Sequence, residues 1–87
     1  MTIHDIKNEI QHLNNEPLRK LVFDINRLLE NNKVLLLKYI DSETITSLFQ
    51  NFANLSQASH KEYTSDNFID EYQKQYNLLM YYLNKIS

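Results

Sequence analysis

At 87 residues the chain can build one modest hydrophobic core but not two, so it reads as a single domain over 1–87. Nine basic against eleven acidic residues leave a formal charge of −2, which gives no global positive field to attract a phosphate backbone. With no cysteine and no glycine, disulfide scaffolds, thiolate chemistry and glycine-rich phosphate loops are excluded, and an all-α domain is the expectation.

The first residues, Met1 to Ile6, have neither the charged nor the apolar region of an export signal. Thr2 and Asp5 have the spacing of a capping box, and Ile3, Ile6, Ile10 and Leu13 follow at helical period, which predicts a helix over 3–13. Pro17 disfavours helical geometry at Glu16 but suits the first turn of a new helix. A second helix is expected over 18–31, where Leu18, Leu21, Val22, Ile25, Leu28 and Leu29 fall on one stripe. This stretch organises the rest. Burying each of those side chains is worth roughly 1.5 to 3 kcal/mol in gross terms, and a lone helix of this length cannot do it.

Val34 to Ile40 is apolar apart from Lys38 and has no decisive period; it could extend the second helix, form a short helix of its own or run extended, and a short helical segment is favoured. It falls far below the roughly 20 residues that cross a bilayer, so a soluble, cytoplasmic protein with no transmembrane segment is expected, and peripheral proximity to a membrane stays open. Asp41 or Ser42 can cap a third long helix over 43–55, with Ile45, Leu48, Phe49, Phe52 and Leu55 on its inner face. Ser56 to Tyr63 is polar and aperiodic and reads as a mobile connection. Thr64 or Ser65 can cap the last helix, 66–86, whose inward stripe reads Phe68, Ile69, Tyr72, Tyr76, Leu79, Leu83 and Ile86. Four such helices fit an antiparallel bundle of up-down topology.

Catalytic and metal-binding patterns are sparse. Glu9 and His12 have the Glu-x-x-His spacing of carboxylate-bridged metal bundles, but such a site needs two copies and two further inward carboxylates, and the sequence has one copy. Serines sit at caps and in the connection, and the acidic pair Asp70-Glu71 suits the first turns of a helix. No enzyme activity, metal or cofactor is expected. A helix-turn-helix reading meets a third helix with no Lys or Arg between Glu43 and Leu55, although Gln50, Asn51 and Asn54 could reach bases.

The back of the last helix is more informative. Lys74, Leu78, Tyr81 and Lys85 are four, three and four residues apart and lie opposite the inward stripe, with Met80 and Tyr82 flanking. An apolar centre between two cations is either covered by Val34 to Ile40 or left as a partner site anchored by tyrosine. Phe23, outward beside Arg19, Lys20 and Arg27, is a smaller second candidate.

This layout resembles the immunity proteins that protect producers of pediocin-like (enterocin A type) bacteriocins. The resemblance covers a short first helix, a second from Leu18 to Lys33 ending Leu28-Leu29-Glu30-Asn31-Asn32-Lys33, the Ile45 to Leu55 helix, and a polar connection His60-Lys61-Glu62-Tyr63-Thr64 leading to the last helix. It implies a small cytosolic four-helix bundle whose C-terminal half selects the bacteriocin. It also implies protection through the mannose phosphotransferase receptor engaged by that toxin, and by position it implicates Leu78, Tyr81, Tyr82 and Lys85. The alternatives are a small inhibitor or adaptor that packs the last helix against another host or phage protein, and a DNA-binding regulator.

Overall fold

The computed structural model describes residues 2–58 and 61–86. They form an all-α bundle of α1 (Ile3–Leu13), α2 (Leu18–Asn31), the single-turn α3 (Lys33–Leu36), α4 (Ser42–Ser56) and α5 (Asp66–Ile86), with a 3-10 turn at Glu62–Thr64 and no strand among the described residues. The expected third and fourth helices are therefore α4 and α5, and Val34 to Ile40 divides into most of α3 and the turns that follow it.

Each boundary has a local cause. At α1 the Asp5 N–H donates to Thr2 Oγ1 (3.2 Å) while the Thr2 N–H donates to Asp5 Oδ2 (3.0 Å), closing the capping box. That backbone donor, before any other group, holds the Asp5 carboxyl below its usual range. Pro17 is the cap residue of α2, and its carbonyl accepts from the Leu21 N–H at 2.9 Å. Asn32 ends α2 by donating its side-chain amide to Leu28 O (2.9 Å) and opens α3 by accepting from the Leu36 N–H (3.0 Å). Asp41 caps α4 through the Thr44 N–H and hydroxyl, at 2.9 and 2.7 Å. Ser65 Oγ accepts from the Phe68 N–H at 3.1 Å and so caps α5.

The core gathers Ile6 and Ile10 of α1, Val22 and Ile25 of α2, Phe52 of α4 and Leu83 of α5, all fully buried. The α2 stripe sits at its centre: Leu21, Val22, Ile25 and Leu29 are buried, while Leu18 and Leu28 are partly buried against them. Burying these side chains is the term that holds an otherwise marginal helix in place.

Two sequence expectations are corrected. Ile69, assigned to the inward stripe of α5, is exposed, and Gln75 occupies an inward position instead, 5% exposed. At a helical step, Gln75 follows Tyr72 by three residues and precedes Leu79 by four, so it lies in line with both. The polar connection is also anchored at its far end. Tyr63 is buried, its hydroxyl donates to the carbonyls of Leu55 and Ser56 (3.2 Å each), and its ring meets Phe68 edge-on at 4.6 Å. These bonds tie the connection to the last carbonyls of α4, of which Leu55 O also accepts from the Ala58 N–H at 3.2 Å. The rest of the expectation of mobility, with His60 of the connection motif, falls partly on residues 59–60, outside the described residues.

Candidate partner-binding surface

The 21-residue α5 carries its cations and outward apolar side chains on the side away from Phe68, Tyr72, Leu79 and Leu83. Leu78 is 39% and Tyr81 58% exposed, and Lys74 and Lys85 are exposed as well. The two lysines are eleven positions apart, about 16 Å of helical rise. Tyr82 and Met80 are only partly exposed because each packs one side against the core. The Tyr81 and Tyr82 rings meet edge-on, with centroids 5.5 Å apart, which joins the outward tyrosine to one that the core holds in place. Val34 to Ile40 does not cover this face, contrary to one of the two expectations above: Leu78 and Tyr81 remain open to solvent.

Packing adds a second wall that the helical wheel of α5 does not contain. Leu78 and Tyr82 line a cleft of about 270 Å3 with Asp41, Glu43, Ser47 and Leu48, so the first turns of α4 lie beside the last turns of α5. The Thr44 N–H, then its hydroxyl, hold the Asp41 carboxyl below the ordinary carboxylate range, and the α4 edge of the cleft is anionic at neutral pH. The surface is thus two-signed, with lysines along α5 and carboxylates where α4 begins. An amphipathic segment carrying apolar side chains and charges of both signs is the ligand such a face can accept.

A larger cleft, about 480 Å3, lies towards the other end of these helices, between Asn51, Asn54 and Leu55 of α4 and Phe68 and Glu71 of α5. A polar chain runs beside it: Asn51 Nδ2 donates to Gln75 Oε1 and Gln75 Nε2 donates to Glu71 Oε1, at 3.0 Å each. This satisfies the one buried polar side chain among the described residues and fixes the mutual register of α4 and α5. Gln50 donates to Asn54 at 2.9 Å, so the three amides that could have read bases are all engaged within the fold. Phe23 is 55% exposed, as expected from its position on α2, beside a cleft it lines with Pro17, Lys20 and Tyr63. Glu9 and His12 both face solvent. Among the described residues no group of three or more His, Asp or Glu side chains could hold a metal ion, and no helix is long and apolar enough to cross a membrane.

No protein-family model matches the chain, and no curated protein or solved structure is significantly similar to it.

Proposed function

We propose that the protein works by binding another protein through the outer face of α5, with Tyr81 as the anchor and Leu78, Tyr82, Lys74 and Lys85 around it. The observation that carries this reading is the exposed Leu78–Tyr81 pair beside a cleft whose far wall is anionic. Tyrosine at the centre of an interface and charge at its rim is the usual division between affinity and orientation.

Within that class, the layout of the helices supports a bacteriocin immunity protein of the cytoplasm, whose partner is the mannose phosphotransferase receptor with its bound toxin. Such a protein must bind the toxin-engaged receptor more tightly than the resting one, because a ligand with equal affinity for both states shifts neither.

The test is expression in a bacteriocin-sensitive strain of the wild type and of the Leu78→Ala/Tyr81→Ala variant. The wild type raises survival. The variant, with unchanged helical content and melting temperature, loses protection through binding weakened about 30-fold, the equivalent of losing about 2 kcal/mol at a hot spot. A folded variant that protects as well as the wild type removes α5 from the interface, and a wild type that protects against no member of a toxin panel removes the immunity reading.

A further inference from the structure

The segment from Lys33 to Ile40 buries some of its apolar side chains and presents the others. Leu36 and Ile40 join the core and Leu35 packs partly against it, whereas Val34, Leu37 and Tyr39 are 77%, 40% and 55% exposed. The backbone is tightly wound. After α3 the N–H groups of Leu37, Lys38, Tyr39 and Ile40 donate to carbonyls three or four residues back, at 2.9 to 3.1 Å, so the outward side chains ride on a fixed turn. The clefts described above take none of their lining from residues 33–40, so the segment offers side chains and does not receive them.

Its charge differs in sign from that of the whole protein. Between Glu30 and Asp41 there is no acidic residue but there are two lysines, Lys33 and Lys38, both exposed, in a chain of formal charge −2. The Lys33 ammonium lies 6.0 Å from the centroid of the Phe49 ring, at the outer limit of a cation–π contact, and the side chain stays exposed. Lys38 makes no ion pair among the described residues. Asp41, the nearer acid, has its oxygens turned to the Thr44 N–H and hydroxyl.

We propose that this turn is a contact for the surface of an anionic lipid bilayer. Val34 and Leu37 enter the boundary between headgroups and acyl chains, Tyr39 sits at headgroup level, and Lys33 and Lys38 reach lipid phosphates on their aliphatic stems. Two charges and one helical turn give weak, reversible attachment and no anchor. The proposal is independent of the protein-binding reading of α5.

The full chain is sedimented with vesicles of phosphatidylcholine alone and with phosphatidylglycerol added. The wild type partitions onto the anionic vesicles and not onto the neutral ones, and the attachment falls when salt is raised well above about 0.1 M. Lys38→Gln lowers the partition about five-fold, following the share of one lysine near a charged surface. Val34→Ser/Leu37→Ser lowers it by about ten-fold or more through lost apolar insertion. Leu78→Ala/Tyr81→Ala leaves it unchanged. The proposal is overturned if the wild type ignores anionic vesicles, if neither variant of residues 33–40 changes the partition, or if the α5 variant abolishes it. A concentration-dependent dimer that the serine variants dissociate also overturns it, since the turn then faces a second copy of the chain. Should the serine variants lose their fold, Lys38→Gln decides alone.

Discussion

α2 and the segment that follows it are both rich in aliphatic side chains, yet the core takes them by phase and not by hydrophobicity. In α2 the apolar residues recur at three- and four-residue steps and Leu21, Val22, Ile25 and Leu29 are all buried; the one large apolar residue off that stripe, Phe23, is exposed. In the next segment apolar residues are consecutive, and the core accepts Leu36 and Ile40, one four-residue step, while Val34 and Leu37 are turned out. Val34 and Leu36 are two apart, about 200° around a helix, so a helical turn cannot bury both. The exposed side chains are therefore a consequence of putting an unphased apolar run into a short helix, and any use the protein makes of them is added to a geometric necessity.

The strongest way to break this contrast is truncation inside each segment at its buried position. Ile25→Ala removes a fully buried side chain that its surroundings cannot refill, and a loss of about 2 to 5 kcal/mol is expected from urea unfolding. Leu36→Ala, at 1% exposure, removes an equally buried group from a segment of one turn. Because a short turn can settle into the space more readily than a four-turn helix, the expected cost falls at the lower end, about 2 to 3 kcal/mol. If Leu36→Ala proved harmless, α3 would be an ornament on a core complete without it. If it matched Ile25→Ala, the turn would be as rigid a part of the core as α2.

The same distinction between phase and environment decides how much was legible beforehand. The stripes of α1, α2 and α4 follow from spacing alone, and so does the cap at Thr2, whereas spacing offers Asp41 or Ser42 for α4 and Thr64 or Ser65 for α5 and the structure selects Asp41 and Ser65. The outward positions of Leu78 and Tyr81 on α5 are angular facts of the same kind. What spacing does not carry is who the neighbour is. Gln75 sits on the inward line of α5, where Glu71 of its own helix accepts from its amide and Asn51, arriving from α4, donates to it, and together they make a buried amide tolerable. Tyr63 looked like part of a polar connection because its partners, the last carbonyls of α4, are not visible in its local sequence. The anionic wall of the candidate cleft, Asp41 and Glu43, likewise belongs to another helix and joins Leu78 and Tyr82 only through packing.

The smallest expected effect gives the sharpest comparison. Val34 is the most exposed large apolar side chain among the described residues, and replacing it with serine removes little that the folded state had withdrawn from water. Serine is a somewhat poorer helix former than alanine or leucine but close to valine, so propensity at this site nearly cancels. The unfolding free energy of Val34→Ser should then stay within about 0.5 kcal/mol of the wild type, as for surface substitutions away from caps and cores. Measured beside Leu36→Ala, it separates two aliphatic residues of the same helical turn by phase alone. A loss above about 1 kcal/mol would show that Val34 makes a contact its exposure does not reveal, and the turn would then need a covering partner even when the protein stands by itself.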